Sequence, residues 1–273
     1  MPELYFSIIS SDTVVQIASR FGLRKPLDYA YGSYRSLSYR LAGGTYTVTV
    51  NDVSAEFLIP THNEFTDLWK IDERPILADL LGELRADDVF YDIGDNVGLY
   101  ACLASQVTDT PVTAFEPHPD NAERLRQNMQ HNRADISLFE HALIDEDGEA
   151  ELAITLDKVG SAGHSLVTTA KEHGTITISK RHGDEFIADN QLPAPTAIKI
   201  DVEGTEGAVL DGLSATLDQP SCRLVYCEVH GDRLQASGHS VAGIRSRLEG
   251  HGFAVTERVV RDGKGDTFLI GKK

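Results

Sequence analysis

Cysteine is scarce in this 273-residue chain: Cys102, Cys222 and Cys227 make an odd number, with no CxxC pair and no metal-type spacing. That excludes a disulfide-stapled scaffold, and three thiols in apolar surroundings read as buried side chains rather than ligands or nucleophiles. Long apolar runs are missing as well, none approaching the ~20 residues that a membrane-spanning helix requires. Near the N-terminus Glu3 and Asp12 flank a short apolar stretch with no basic segment ahead of it, so no signal peptide is expected. Basic charge is the third deficit. Nine Lys and sixteen Arg face 42 Asp and Glu, for a formal net charge of −17. Such a chain repels nucleic-acid backbones unless its basic residues gather on one face. Internal repeats, low-complexity tracts and charge blocks are absent too.

What is present is enough for a full-sized core. At 41% apolar residues disorder is excluded, and a soluble, cytoplasmic, folded protein is expected. Its scattered, lysine-poor acidity reads as a halophilic surface, with an ordinary acidic enzyme as the alternative.

The first 75 residues have a different rhythm from the rest. Asp12 caps a short helix to about Phe21, with Gly22 as its stop. Thr45, Thr47 and Thr49 then alternate with Tyr46, Val48 and Val50, and Ala55 to Ile59 offers a second strand, with turns at Gly43-Gly44 and Asn51-Asp52. Residues 1–75 are therefore expected to be a small α+β extension, in the role of a substrate cap, ahead of a catalytic domain over 76–273.

From Pro75 onward strands and helices alternate. An amphipathic helix carries Ile76, Leu77, Leu80, Leu81 and Leu84. After it come Val89–Ile93, a helix at Leu99–Ser105, Val112–Glu116, a helix at Asn121–Asn132 and a strand at Ile136–Ala142. Ala150–Leu156 and Thr175–Ser179 read as an inserted hairpin around the loop Gly160–Ser165. Then follow Ala197–Val202, a helix at Glu206–Leu217, Arg223–Val229, a helix at Val241–Gly250, and a closing antiparallel pair, Phe253–Val259 and Asp266–Ile270, joined at Asp262-Gly263. Alternation on this scale predicts a doubly wound, mostly parallel α/β sheet.

Four segments carry chemistry. The junction Asp92-Ile93-Gly94-Asp95-Asn96-Val97-Gly98 has glycines that allow a sharp turn and close approach to a ligand at a helix N-terminus, in a pattern other than GxGxxG. Glu116, at the tip of the next strand and followed by Pro117, is placed to accept hydrogen bonds from a ribose. In Ile198-Lys199-Ile200-Asp201-Val202-Glu203-Gly204, period-2 alternation puts Lys199, Asp201 and Glu203 on one side of a strand that should be apolar on both. Lys199 reads as a structural ion pair, and Asp201, nearer the carboxyl end, as functional. Finally, Glu228 and His230 share a face at a neighbouring strand tip. His230 suits a general base near neutral pH. Asp201, Glu228 and His230 alternatively suit a metal, although none is assigned.

Taken in order, Asp92-Ile93-Gly94-x-Asn96-Val97-Gly98, Phe115-Glu116-Pro117, Ala142-Leu143, Ile198-Lys199-Ile200-Asp201-Val202-Glu203-Gly204-x-Glu206 and Glu228-x-His230 resemble the FkbM family of S-adenosylmethionine-dependent methyltransferases, from about Arg85 to the end. The resemblance implies a Rossmann-like methyltransferase sheet whose last strand is antiparallel, and O-methylation of hydroxyls on sugars or secondary metabolites. By position it implies that the Asp92–Gly98 loop, with Asp92, Gly94, Asn96 and Gly98, holds the methionine end of the cofactor. Glu116 and Pro117 would lie at the ribose, and Ala142 would border the adenine. Asp95 stands where the family usually has Ala and puts an acid beside the expected methionine carboxylate. The expected acceptor is a hydroxyl or carboxylate on a sugar, glycolipid or small molecule, with Asp201, Glu228 and His230 as candidate bases. Two rivals share the fold. A nucleic-acid methyltransferase is opposed by the charge and by the lack of an Asn/Asp-Pro-Pro-Tyr or Pro-Cys segment. A non-catalytic member would bind cofactor or partner without turnover.

Overall fold

The computed structural model describes residues 19–20, 23–154, 166, 174–259 and 266–273. The helix expected from Asp12 falls almost wholly outside these residues, as do the loop Gly160–Ser165 and the turn Asp262-Gly263. The chain forms two compact units. One comprises the described residues to Tyr46 together with Ile59–Trp69; the other comprises Thr47–Leu58 and the chain from Lys70 onward.

In the first unit, helix α1 (Arg24–Leu41) and helix α2 (His62–Trp69) surround an aromatic cluster. Phe65 is fully buried, edge-on to Tyr46 at 5.3 Å between ring centroids and 5.1 Å from Trp69. Trp69 donates its indole N–H to the Tyr31 hydroxyl (3.1 Å) and Tyr39 its hydroxyl to the Pro60 carbonyl (2.9 Å). Neither helix is foreseen from the sequence. Pro26 and Gly32 interrupt the propensity of α1, yet Pro26 lies in the first turn, where no intrahelical N–H is required.

A hairpin, β1 (Thr45–Val50) and β2 (Val53–Leu58), belongs to the second unit from Thr47 onward and is turned by Asn51 and Asp52, both at positive φ (50° and 65°). That two-residue turn matches the twist of the flanking strands. Val48 and Val50 point inward while Thr47 and Thr49 face out, as the alternation predicts. Helix α3 (Arg74–Glu83) leads to β3 (Phe90–Ile93), α4 (Leu99–Ala104), β4 (Val112–Phe115), α5 (Pro119–Asn132) and β5 (Ile136–Phe139). Next come β6 (Ala142–Ile144), β7 (Gly148–Ile154) and β8 (Gly174–His182), then α6 (Gly183–Asp189), β9 (Ala197–Ile200), α7 (Glu206–Gly212) and α8 (Ser214–Asp218). The chain closes with β10 (Leu224–His230), α9 (Gly231–Ala236), α10 (Val241–Gly250), β11 (Ala254–Val259) and β12 (Asp266–Lys272).

Seven strands form the main sheet in the order β11-β12-β10-β9-β3-β4-β5. The β3–β4, β3–β9, β4–β5 and β9–β10 pairs are parallel, whereas β12 runs antiparallel to both β10 and β11. This is the Rossmann-like methyltransferase sheet with its last strand reversed. Every residue of β3, β4 and β9 is buried, as central parallel strands covered on both faces require. Beside β3 the strand order reverses, and the cleft of such a sheet opens at the carboxyl ends there.

Several boundaries differ from expectation. The strand expected over Ile136–Ala142 is two: β5 belongs to the main sheet, and β6 pairs with β8 in a separate three-stranded sheet, β6-β8-β7. Between them Glu140 turns to Arg126 and His141 packs edge-on to Phe186, 5.4 Å between centroids. The helix expected over Glu206–Leu217 breaks at Leu213. Asp184, about thirty residues away in sequence, accepts from the Ala215 and Thr216 N–H groups (2.7 and 3.0 Å) and caps α8 as a separate helix. Helices α6 and α9 are additional to those read from the sequence.

Candidate active site

A cleft with about 690 Å³ of empty space, counted out to its mouth, lies at the carboxyl ends of β3, β4 and β9. The turn after β3 is fixed by two glycines at positive φ, Gly94 (81°) and Gly98 (93°). A Cβ on Gly94 would lie 1.9 Å from the Asp201 carbonyl oxygen, and one on Gly98 2.4 Å from Leu125 Cδ1. Both glycines thus admit neighbouring segments of this chain, where the sequence suggested they admit a ligand.

Glu116 follows β4 and is 5% exposed. One carboxyl oxygen accepts from the Asn96 N–H and the other from the His118 N–H, both at 2.8 Å. Burial pushes its carboxyl up to about 7, against the pull of those two backbone donors. Gly94, Asn96, Glu116, Pro117 and Ala142 all line the cleft. Asp92 and Gly98 stand behind it. Gly98 precedes the first turn of α4, and Asp92 is fully buried with its Oδ1 3.3 Å from Lys199 Nζ.

Lys199 is the brace that its ion-pair reading predicts. Burial works against its charge, but Asp92 and Asp201 outweigh burial and hold it protonated. Its Nζ lies 3.4 Å from Asp201 Oδ2, donates to the Gly94 carbonyl at 3.3 Å, and sits 4.7 Å over the Tyr100 ring. Asp95 is buried beside this group. Burial first, then the charge of Asp92, pushes its carboxyl well above the usual carboxylate range. The acid that departs from the family pattern is thereby driven toward its neutral form.

The second group of residues meets at the cleft's rim. Strand β9 ends at Ile200, so the alternation read over Lys199–Glu203 does not continue. Glu203 takes a positive φ of 58° and Gly204 one of 111°, and this turn brings Asp201, Val202 and Glu203 together on the cleft wall. From β10, parallel to β9, His230 points its Nε2 at Glu203 Oε2 (3.2 Å), Glu228 Oε1 (3.7 Å) and Asp201 Oδ1 (3.9 Å). Its Nδ1 lies 3.2 Å from Glu206 Oε1. Burial opposes charge on His230, but the Glu206 hydrogen bond and the surrounding carboxylates outweigh it and raise the imidazole to about 10. Hence His230 holds a proton at neutral pH instead of being free to take one. Burial and the charge of Asp201 raise Glu228 to about 9, and burial lifts Glu203 to about 7. Asp201, with a quarter of its side chain accessible, is the acid of this group that reaches the cleft next to Lys199.

The remaining walls suit a nucleoside. Phe115, Leu143, Ile144 and Leu152 form an apolar face, and His141, also in the wall, has a buried Nδ1 with no hydrogen-bond partner among the described residues. Each Glu116 oxygen accepts one backbone N–H and Asn121 adds a side-chain hydrogen bond, which leaves lone-pair capacity for a ribose hydroxyl. A carboxylate for a diol, an apolar slot and an unsatisfied ring nitrogen fit an adenosine-type cofactor. Sequence reasoning missed His141 and gave no role to Glu203 or Glu206, although both lie in the motif that contains Asp201.

Comparison with known proteins adds the following. A family model described as the methyltransferase FkbM domain matches residues 92–255. Hexuronic acid methyltransferase AglP of Haloferax volcanii is 31% identical over 185 residues, covering 66% of this chain and 72% of that protein. The 31-O-demethyl-FK506 methyltransferase FkbM of Streptomyces tacrolimicus is 29% identical over 244 residues, covering 79% and 88%. Among solved structures, methyltransferase FkbM from Methylobacillus flagellatus KT is similar in fold, with a TM-score of 0.50 at 14% identity over 77% of this chain and 53% of that one.

Proposed function

Because this chain belongs to the FkbM family of methyltransferases, we propose that it transfers the methyl group of S-adenosylmethionine to an oxygen of a sugar, glycolipid or secondary metabolite. The observation that carries this reading is that Glu116 and Asp201, from the strands on either side of β3, line one cleft. S-adenosylmethionine supplies a methyl group already activated on sulfonium, so the protein has to place an oxygen in line and take its proton. In this assignment Glu116 accepts the ribose hydroxyls. Pro117 and Ala142 border the nucleoside, and the Asp92–Gly98 loop, braced by Lys199 at the Gly94 carbonyl, receives the methionine end. Asp201 takes the proton of a hydroxyl acceptor, while His230 and Glu228, which hold protons at neutral pH, set the field around it.

Among acceptors, a hexuronic acid has the support of the relative from Haloferax volcanii, whose name specifies that substrate. A uronate carboxylate is nucleophilic without a base, and its product is an alkali-labile ester; a hydroxyl gives an alkali-stable ether. The protein should therefore be incubated with methyl-labelled S-adenosylmethionine and uronate-containing glycans, and the product treated with mild alkali. Label in the glycan, released by alkali, supports the uronate; label that stays supports a hydroxyl. No label in any carbohydrate, or label in RNA, overturns the reading. The scattered acidity of the chain and its relative from a salt-loving organism support a halophilic setting.

A further inference from the structure

Asp201, Glu203, Glu206 and Glu228 crowd the rim of the cleft, with Lys199 between Asp92 and Asp201, Arg233 on Glu203, and the His230 ring in their midst. The orientation of that ring is specific. One nitrogen, Nδ1, faces Glu206 Oε1 at 3.2 Å, and the Glu206 side chain is fully buried, with its Oε2 lacking a hydrogen-bond partner among the described residues. The other nitrogen stands among oxygens of Glu203, Glu228 and Asp201. Proteins present an imidazole to a metal ion in this way, with a carboxylate behind one nitrogen fixing the ring while the other is exposed to the ion. One ligand atom from each of Asp201, Glu203 and His230 lies within 4.8 Å of the others.

Glu228 is a second, independent sign. Its side chain is nine-tenths buried, makes no hydrogen bond among the described residues, and aims Oε1 at the same point, 3.7 Å from His230 Nε2. A buried carboxyl without hydrogen bonds is costly unless another group takes its lone pairs, and among the described residues its ion-pair partner is the His230 ring.

We propose that Asp201, Glu203 and His230 bind a divalent cation of the Mg²⁺ or Mn²⁺ kind, with Glu228 as a further oxygen ligand and Glu206 fixing the imidazole from behind. Carboxylate oxygens with one imidazole suit such ions. The use of the cation rests on the methyl transfer proposed above, but its binding does not. Coordination to the ion makes an acceptor hydroxyl more acidic, and an anionic uronate meets a positive centre in place of a ring of carboxylates. With the ion bound, Asp201 is a ligand and the acidified hydroxyl has less need of a base.

The test uses Mn²⁺ alone with the full chain in molar KCl, which screens diffuse attraction to the acidic surface. Electron paramagnetic resonance of free Mn²⁺ reports the bound fraction. One saturable site per chain is expected. Asp201→Asn and Glu203→Gln should each weaken it at least roughly 10-fold, and Glu206→Gln by roughly 10- to 100-fold. Glu140→Gln, at an acid that pairs with Arg126 away from the cleft, should leave it unchanged. Asp201→Asn is nearly isosteric and partly exposed, so thermal melting serves as the folding control for that variant. The absence of a saturable site, or equal affinity in wild type and all three cluster variants, overturns the proposal. Methyl transfer without Mn²⁺ binding would remove the cation and leave the enzyme reading. Mn²⁺ binding without methylation of any carbohydrate would do the reverse.

Discussion

Glu116 offers a quantitative test of the cofactor site. Its carboxyl titrates at about 7 in the free protein because burial outweighs the two backbone N–H groups it accepts. A ribose diol donates hydrogen bonds and so prefers the ionised form. If binding needs that form, affinity scales with the ionised fraction, which is about 90% at pH 8 and about 10% at pH 6. The dissociation constant for S-adenosylhomocysteine should therefore rise about tenfold between those pH values, about 1.4 kcal/mol. Binding at pH 7 should release about half a proton. Isothermal calorimetry in buffers of different ionisation enthalpy reads both quantities. Glu116→Ala should weaken binding at pH 8 by about 1.5–3 kcal/mol, the scale of hydrogen bonds to a charged group, and should abolish the slope and the proton release together. A wild-type affinity that is flat from pH 6 to 8, or a slope that survives in Glu116→Ala, would refute the assignment of Glu116 to the ribose.

Three further outcomes are expected. Melting temperature should rise markedly from low to molar KCl as carboxylate repulsion is screened; a flat or falling curve would mark an ordinary acidic protein. Lys199→Met should lower stability by about 3–5 kcal/mol in denaturant melts, because Asp92 is left buried without its cation. A loss under ~1 kcal/mol would refute that structural role for Lys199. Asp201→Asn should cut turnover on a hydroxyl acceptor at least ~100-fold with cofactor affinity nearly unmoved. Near-normal turnover would place the base elsewhere and favour a carboxylate acceptor.

The parts of the fold that were legible in the sequence are those set by local pattern. Alternating Thr and Val with Asn51-Asp52 specified a hairpin, and buried runs such as Ala197–Ile200 specified parallel strands. Their carboxyl ends, where Glu116, Asp201 and Glu228 stand, followed from the topology. Features set by distant partners were not legible. Asp184 splits one expected helix into α7 and α8 through hydrogen bonds from thirty residues away. Asn128 and Asn132 of α5 accept from the Leu58 and Glu56 N–H groups of β2 (3.0 and 2.8 Å), which docks the hairpin by side chains that in sequence look like ordinary helix surface.

The charged stretch at the end of β9 shows why a pattern can point to the right residues through the wrong geometry. Period-2 alternation put Lys199, Asp201 and Glu203 on one side of a strand. They do converge, but the strand has ended by Asp201, and a left-handed turn at Glu203 completes the grouping. The difference in position matters chemically. Lys199 stays at strand depth, register partner of Asp92, where a lone lysine would lose its proton and a pair of acids keeps it charged. Asp201 is one step beyond the sheet and reaches the cleft. The single Lys199 ammonium thus touches the carbonyl of Gly94 and the rim acid Asp201 at once, at 3.3 and 3.4 Å. An ion pair read as structural therefore ties the loop that would receive the methionine end to the acid assigned to the methyl acceptor, through an element too deep in the sheet to touch either ligand.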